Sequence, residues 1–308
     1  MVDNRNNNEL SSETILVITS ALGCDAHDIK DISMLKSGMT NVSYSFVVNN
    51  DRFIIRIPGE GTDLLIDRKQ EASVFASISG KGLCDDPVFI DPDSGYKITR
   101  FLPDVRTCDP QNENDLILCM NRLKSFHDMR LSVDHTFDLH KHILYYESLW
   151  NKKQSSYPDY EKTKASVFAL KDYIDKQDKD FVLSHIDSVP DNFLFYRGSD
   201  GNEQLQLTDW EYSGMQDPHV DIAMFCIYSM YDKKDCDRLI DIYFNYNCPP
   251  AVRIKIYCYI ATAGLLWSNW CEYKGEFGID FGEYNIRQYQ YAKDFFGYVN
   301  ELTGGIYG

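Results

Sequence analysis

Four polar side chains stand in two nearby stretches of the sequence, VLSHIDSVPDN and LQLTDWEY. The first stretch reads as an apolar strand that runs into a loop holding His185, Asp187 and Asn192, and the second as a strand that ends at Asp209. Phosphoryl transfer needs a carboxylate to orient the attacking hydroxyl, and an Asn and a second Asp to hold Mg²⁺ against nucleotide phosphates. The pattern therefore predicts Asp187 and His185 as catalytic residues, and Asn192 and Asp209 as Mg²⁺ ligands.

The H-x-D-x-x-x-x-N spacing is that of a kinase catalytic loop, but it is a weak pattern by itself. An Asx-rich turn before a hairpin, with Pro190 and Asp191 as turn formers, would give the same residues. The preceding strand, the strand-borne Asp about twenty residues later and a nucleotide-type N-terminal half favour phosphoryl transfer over a plain turn.

Composition limits the classes of partner. The 308 residues include 31 basic and 47 acidic side chains, a net charge of −16. Binding to a phosphate backbone needs a basic face, so nucleic acid is not expected as the main partner. The charge is compatible with a cationic small-molecule substrate, although a solvated acidic surface is the more common cause. The sequence leaves the oligomeric state open.

Several features predict a cytoplasmic protein. The N-terminus, MVDNRNNNEL, lacks the apolar core of a signal peptide. The longest uncharged run, Ile256–Cys271, is too short and too polar for a membrane span, so it predicts a buried helix and no membrane insertion. Nine cysteines occur singly without a C-x-x-C pair, which is typical of free thiols in a reducing compartment.

The N-terminal part alternates with a period of two and predicts three strands, at about 32–36, 42–48 and 53–57. Between the first two strands lies a small polar loop with Gly38, Thr40 and Asn41. Such a loop can lay backbone N–H groups over phosphates, so these three residues are predicted to bind the nucleotide. The motif is weak alone, because any hairpin uses Gly and Asn.

Arg56 lies inside the apolar strand IIRIPG, where a charge needs a partner. Glu71 lies in the middle of the next predicted helix, which Thr62 can cap. A strand cation paired with a helical Glu is how kinases position the α- and β-phosphates. The alternative is that both side chains face solvent, as Arg and Glu usually do.

Pro103 and Asp104 break the strand that contains Phe101, and this break predicts a hinge whose backbone meets the adenine ring. Phe101 is therefore included among the predicted nucleotide-binding residues. The expected fold class is α+β and bilobal. Residues 1–102 form a small, mostly antiparallel β, nucleotide-binding lobe, and residues 103–308 form a larger, mostly α, catalytic and substrate-binding lobe.

Histidines outside the loop are predicted to be structural. His127 lies beside the apolar face of a helix at about 110–130, and Asp221, in a later helix, is expected to bond the backbone of the catalytic loop. His135, His140 and His142 could suggest a metal site, but their spacings of five and two have no carboxylate pair on a shared face. Solvated loop histidines are the better interpretation.

The motifs HIDSVPDNFLF, LTDWEYSGMQDPHVDIA, IIRIPGEGT and LLWSNW resemble the choline/ethanolamine kinase family, within the larger aminoglycoside-phosphotransferase-like group. The resemblance runs from about residue 32 to 298 and is greatest to bacterial choline kinases. It implies a protein-kinase-like fold with ATP and Mg²⁺ as cofactors. It also implies Asp187 as the catalytic base, and Arg56 with Glu71 in the role of the kinase Lys–Glu pair.

The residues themselves favour choline because thirteen aromatic side chains lie between Tyr257 and Tyr298. A quaternary ammonium cannot donate a hydrogen bond, so ring faces and carboxylates hold it, at about 0.5–2 kcal/mol per ring. The predicted substrate residues are Glu211, Tyr212, Trp267, Trp270 and Tyr284. The alternative is a helical core, because the aromatic positions 284, 291, 295 and 298 repeat at helical spacing.

The sequence therefore predicts ATP- and Mg²⁺-dependent phosphorylation of the choline hydroxyl. The same chemistry on ethanolamine or an aminoglycoside is the first alternative. A pseudokinase that binds nucleotide without turnover is the second. Tyr228 occupies a place where eukaryotic relatives carry an acidic residue, so the preference between choline and ethanolamine stays open.

Overall fold

The computed structural model describes residues 10–37, 40–59, 61–198 and 200–307. Within these residues the chain forms ten α-helices and ten strands. The helices are α1 (Ser12–Leu22), α2 (Arg68–Ile78), α3 (Glu113–Asp128), α4 (Leu139–Ser148), α5 (Tyr160–Ala169), α6 (Lys171–Asp175), α7 (His219–Tyr228), α8 (Lys233–Tyr243), α9 (Pro250–Gly275) and α10 (Glu283–Leu302). The strands are β1 (Lys30–Ser37), β2 (Asn41–Val48), β3 (Asp51–Pro58), β4 (Phe89–Ile90), β5 (Lys97–Arg100), β6 (Arg106–Thr107), β7 (Val182–Ser184), β8 (Phe193–Arg197), β9 (Glu203–Leu207) and β10 (Gly214–Gln216).

The chain folds into two compact units. Unit 1 comprises Met1–Arg106 and Phe195–Glu211, and unit 2 comprises Thr107–Leu194 and Tyr212–Gly308. The predicted boundary after residue 102 assigns the second of these unit 1 segments to the C-terminal lobe, whereas in the structure it groups with the N-terminal part. The backbone explains why, since the N–H of Leu207 in β9 donates to the carbonyl of Leu83 at 2.9 Å.

Unit 1 is built on an antiparallel sheet with the strand order β1-β2-β3-β5-β4. The predicted strands between residues 32 and 57 are confirmed. Asn49 and Asn50, both with positive φ, make the two-residue turn between β2 and β3, the geometry of a type I′ hairpin. The apolar face of the sheet packs around Phe46, Ile55 and Ile98, which are fully buried.

The sheet register places one cation beside another, because Arg56 on β3 pairs with Lys97 on β5. Helix α2 presents its buried face, including Glu71, to this region. The helix begins at Arg68 and not near Thr62 as predicted. Asp67 is the N-cap and accepts from two backbone N–H groups of the first turn, while the Thr62 hydroxyl donates to the carbonyl of Gly59.

Unit 2 is mostly helical and centres on α9, whose residues 255–274 are all buried. This confirms the buried helix predicted for Ile256–Cys271. Helices α4, α7 and α10 pack on α9. A β-dominated and a helix-dominated unit together confirm the α+β prediction. Among the described residues, none of the helices has the length and apolar character needed to cross a bilayer.

Candidate active site

The predicted catalytic loop follows β7 in unit 2, and its backbone is strained. Ile186 is fully buried with a φ of +67°, a conformation that is an outlier for a β-branched residue. The carboxylate of Asp221 accepts from the N–H of His185 at 2.9 Å and from the N–H of Ile186 at 2.7 Å. Strain of this kind costs about 1–3 kcal/mol and persists only where neighbours enforce it. Asp221 therefore fixes the loop, as predicted from the sequence.

Asp221 is fixed in turn by His127. The imidazole Nε2 lies 2.8 Å from an Asp221 carboxylate oxygen, and Nδ1 lies 2.9 Å from the Tyr243 hydroxyl. This confirms the structural role predicted for His127. His185 is fully buried, and its carbonyl accepts from the Ser213 hydroxyl. Burial favours a structural role for His185 over the catalytic role predicted for it, because a catalytic group must reach the substrate.

Asp187 and Asn192 lie together at the end of this loop. A short 3₁₀ turn, Pro190–Asn192, carries the Asn back toward the Asp. The side-chain amide nitrogen of Asn192 donates to the Asp187 carbonyl at 2.8 Å and to its carboxylate at 3.1 Å. Asp187 is partly exposed and Asn192 is buried. With its nitrogen used in this way, Asn192 retains an amide oxygen as its candidate ligand atom.

Charged side chains in unit 1 form a second group, here called the ion cluster. Its members are Arg56, Arg68, Glu71, Lys97, Asp209 and Glu211. Arg56 forms two bonds of 2.6 Å to the Glu71 carboxylate, which confirms the predicted pair and excludes the solvent-facing alternative. Burial alone would raise the pKa of Glu71, but Lys97, Arg56 and Arg68 lower it to about 2.

Glu211 belongs to the ion cluster. One of its carboxylate oxygens accepts from the Asn41 amide at 2.8 Å, from Arg68 at 3.2 Å and from Arg56 at 3.3 Å. Burial, and then the charge of Asp209, raise the pKa of Glu211. Three donors share this buried oxygen, which favours a positioning role for Glu211, and its predicted contact with substrate stays a prediction.

Asp209 differs from the other carboxylates of the ion cluster. Its side chain is 35% exposed, compared with 1% for Glu71 and Glu211, and it lies 3.8 Å from Arg56. Its φ is +63°, which is uncommon for a residue with a side chain. The next residue, Trp210, is fully buried and donates its indole N–H to the Leu207 carbonyl. A strained but anchored backbone thus presents an accessible carboxylate.

The predicted phosphate loop is described at its C-terminal end, and Gly38 lies outside the described residues. The Thr40 carbonyl accepts from the Gly59 N–H at 2.8 Å, and the Asn41 amide donates to the Thr40 hydroxyl at 3.0 Å. This end of the loop is therefore tied to the end of β3. Phe101 extends the sheet, with its N–H bonded to the Arg52 carbonyl, and its described contacts do not test its predicted nucleotide role.

Aromatic residues in unit 2 form a third group, here called the ring cluster. Neighbouring rings have centroids 5.3–6.5 Å apart. The cluster consists of Tyr212, Trp267, Trp270, Phe281, Tyr284 and Tyr228. It brings together all four predicted aromatic substrate residues. It adds Phe281, which the sequence interpretation missed, and Tyr228, which was noted only as a departure from eukaryotic relatives.

The ring cluster has a buried base and a more exposed end. Trp267 and Trp270 are 8% and 2% exposed, whereas Tyr228, Phe281 and Tyr284 are half-buried. The two indole N–H groups are used inside the protein, since Trp270 donates to the Tyr212 hydroxyl and Trp267 points at a methionine sulfur. Burial raises the pKa of Tyr284 well above its usual range, with further contributions from Cys271, Tyr228 and Asp187.

The other aromatic residues of α10 follow the core interpretation. Tyr291 and Phe295 are buried at 0% and 2% exposure, and Tyr298 packs edge-on against Phe295. The loop location predicted for three histidines is wrong for His140 and His142, which lie in α4, and all three are less solvated than predicted. His135 bonds the Ser213 carbonyl, His142 stacks on Phe137, and His140 packs edge-on against Phe168. In the described part of the chain they do not form a metal-sized cluster.

Comparison with known proteins establishes the class. The family described as choline/ethanolamine kinase matches residues 32–251. Protein LicA of Haemophilus influenzae is 29% identical over 265 residues, covering 82% of this chain and 76% of that protein. The crystal structure of choline kinase LicA from Streptococcus pneumoniae has a TM-score of 0.78 and 26% identity, covering 93% of this chain and 100% of that one. A structure of LicA in complex with AMP also has a TM-score of 0.78, with 27% identity and coverage of 93% and 98%.

The fold and the family match together define a kinase of the protein-kinase-like α+β class, with a small β unit and a larger helical unit. The chain belongs to the choline/ethanolamine kinase family. It is accordingly an enzyme that uses a nucleotide and acts on a small-molecule substrate.

Proposed function

We propose that this kinase transfers the γ-phosphoryl group of ATP to the hydroxyl of choline, with Mg²⁺ as the metal. The observation that carries the proposal is the ring cluster, which belongs to the same unit as Asp187. Ring faces attract a trimethylammonium group that has no N–H to donate. The match to choline kinases supports the same substrate.

Asp187 is the proposed base, which orients the choline hydroxyl and accepts its proton. Such positioning contributes roughly 10²–10⁴ in rate. Asn192 supports it, because its amide nitrogen holds the Asp187 carboxylate at 3.1 Å. The strained loop is anchored by Asp221 and holds the Asp187 and Asn192 side chains in place, as a preorganised site requires.

Asn192 and Asp209 are the proposed Mg²⁺ ligands. An amide oxygen and an accessible carboxylate are the hard oxygen donors that this ion prefers, so the residues fit the metal. When bound, the ion would supply neutralisation of the phosphate charge. Arg56, oriented by two bonds to Glu71, is the proposed contact of the α- and β-phosphates.

Ethanolamine is the second candidate. Its ammonium carries N–H donors and needs acceptors, and two hydroxyl groups at the more exposed end of the ring cluster, those of Tyr228 and Tyr284, can act as such. Choline is the preferred candidate because ring faces attract a cation that has no N–H to donate. The location proposed for the enzyme is the cytoplasm, where ATP is available and where nine free cysteines would stay reduced.

A coupled ADP-release assay with Mg²⁺-ATP tests the proposal, with choline, ethanolamine and kanamycin offered separately. We expect the highest kcat/KM with choline. Turnover on ethanolamine or kanamycin alone would contradict the substrate while leaving the kinase chemistry intact. Binding of ATP without turnover on any of the three would contradict the proposed reaction and support a pseudokinase.

A further inference from the structure

Arg68 is a buried arginine at the first position of α2. Its guanidinium reaches three acceptors that come from different parts of unit 1. One nitrogen lies 3.1 Å from a Glu71 oxygen and 3.2 Å from a Glu211 oxygen, and the other donates to the Asn41 side-chain carbonyl at 3.2 Å. The side chain is 7% exposed. It therefore joins the helix, the stretch after β9 and the first residue of β2.

Asn41 gives this contact its significance. Its side-chain oxygen accepts from Arg68, and its side-chain nitrogen donates to Glu211 at 2.8 Å and to the Thr40 hydroxyl at 3.0 Å. Both halves of the amide are thus fixed by buried charged partners. Asn41 directly follows residues 38–40, so its position sets where the loop predicted to cover the phosphates re-enters the sheet.

Gly95 shows that the path of Arg68 is closely fitted. It has a φ of +76°, and a Cβ there would lie 2.7 Å from both Cδ and Nε of Arg68. The Gly95 carbonyl accepts from Arg56 at 3.3 Å. Gly95, in the turn before β5, therefore leaves room for Arg68, and its carbonyl helps to orient Arg56.

We propose that Arg68 is a positioning residue of the nucleotide site, which holds Asn41 in register with the Arg56–Glu71 pair through the shared carboxylate of Glu211. The inference rests on the proposed function, because it takes Arg56 to bind the nucleotide phosphates. Nη1 and Nη2 of Arg68 bond Glu71, Glu211 and Asn41, and through these contacts Arg68 acts on Asn41 and Arg56. Lysine cannot replace it, since a single ammonium does not reach acceptors in two directions with a fixed planar fork.

The consequence is a selective effect on the nucleotide. Loss of the planar fork should release Asn41 and weaken ATP binding. The binding of choline should not change, because the ring cluster and Asp187 belong to unit 2. A residue that only stabilised the fold would lower the melting temperature without separating the KM for ATP from the KM for choline.

The test compares Arg68→Lys with Arg100→Lys, a control in the same unit that lies on β5 and has a side chain that is 63% exposed. Binding of Mg²⁺-ATP is measured by calorimetry without acceptor, followed by steady-state KM values for ATP and choline. We expect Arg68→Lys to weaken ATP binding about 5–20-fold with the choline KM within about twofold of wild type, and Arg100→Lys to bind ATP like wild type, as expected for one lost charge-assisted contact. Wild-type ATP affinity in Arg68→Lys would overturn the proposal.

The calorimetric arm separates this inference from the proposed substrate. If choline proves not to be the acceptor, the comparison of ATP affinities still decides the role of Arg68. If ATP affinity is unchanged while choline is turned over, the positioning role fails and the proposed function stands.

A glycine pair keeps the inference testable should Arg68→Lys fold poorly. Gly95→Ala would collide with Arg68, whereas Gly80→Ala imposes similar backbone strain, at a φ of +66°, with nothing within 4 Å of the added Cβ. We expect weaker ATP binding in Gly95→Ala and wild-type affinity in Gly80→Ala. Equal ATP affinities in the two variants would overturn the proposal.

Discussion

The ion cluster of unit 1 and the ring cluster of unit 2 are built on opposite physical principles. The ion cluster gathers six charged groups, of which only Asp209 has substantial exposure, and every buried carboxylate there has more than one cationic partner. The ring cluster consists of aromatic side chains that pack largely edge to face, and its two indole N–H groups bond other protein groups. The first suits an anionic phosphate chain and the second a cation that cannot donate a hydrogen bond.

The two clusters also differ in how rigidly they are specified. Paired charges fix one another's positions through directional bonds, and breaking one partner leaves a buried charge uncompensated. Ring packing is tolerant, since each ring contributes a modest, independent share. We therefore expect substitutions in the ion cluster to be costly and selective for ATP, and those in the ring cluster to be graded and selective for the acceptor.

The largest expected effect is at Asp187, which belongs to the same unit as the ring cluster. Asp187→Asn removes the proposed base while preserving size, and kcat should fall by roughly 10²–10⁴. Asp191→Asn, an exposed neighbour, is the matched control and should keep wild-type kcat. The measurement is steady-state ADP release, with circular dichroism to verify folding. Near-normal turnover in Asp187→Asn would refute its role as the base.

In the ion cluster, Glu71→Gln should reduce stability in a pH-dependent way. The folded pKa of Glu71 is about 2, below its ordinary value of 4.5, so its ionised form stabilises the fold by about 3 kcal/mol. For a lowered pKa this contribution is fully present above about 4.5 and is lost as the pH falls toward 2. The stability gap between wild type and Glu71→Gln should therefore narrow from pH 6 to pH 3. Urea unfolding at both pH values measures it, and a constant gap would contradict the paired geometry.

Tyr228→Leu tests the graded behaviour of the ring cluster. Loss of one ring that faces a cation costs about 0.5–2 kcal/mol, which corresponds to roughly a 2–30-fold rise in the choline KM. The KM for ATP should not change. Phe277→Leu, at a half-exposed ring that packs on Tyr273 outside the cluster, serves as the control. An equal rise in both variants would show that the effect is not specific to the cluster.

The smallest effect on the choline KM is expected at Tyr212, whose hydroxyl is bonded inside the protein. Tyr212→Phe removes the acceptor of the Trp270 N–H, which is 3.2 Å away, and leaves that buried donor without its partner at a cost of about 1–3 kcal/mol. Because the ring of residue 212 remains, the choline KM should rise by no more than about threefold while the melting temperature falls. A large change in KM with an unchanged melting temperature would show instead that the hydroxyl contacts the substrate.

The Arg56–Glu71 pair was predictable because a charge inside an apolar strand must be compensated, and the following helix offers one acid at the right place. Arg68 and Glu211 were not predictable in the same way. They lie 143 positions apart and meet only after β9 returns to unit 1. Sequence patterns carry local periodicity, but they do not specify which distant loop brings a partner.

The aromatic region shows a second limit. Periodicity predicted α10, and Tyr284 and Tyr291 share its helical spacing. In the structure their environments differ, because Tyr284 belongs to the ring cluster and Tyr291 to the core. The difference depends on how α10 packs against α9, which no single-helix pattern determines. The predicted start of α2 was wrong because Thr62 and Asp67 are both good N-cap residues, and the helix uses Asp67.

The most direct test of the division between the two clusters is a two-substrate rate matrix, with ATP and choline varied together, for Arg56→Lys and Tyr228→Leu. We expect Arg56→Lys to raise the KM for ATP at least about tenfold with the choline KM within about twofold, as for a lost charge-assisted phosphate contact and a broken pair with Glu71, and we expect Tyr228→Leu to do the reverse. If both variants shifted both KM values by similar factors, the separation of nucleotide and acceptor recognition between the ion cluster and the ring cluster would be contradicted.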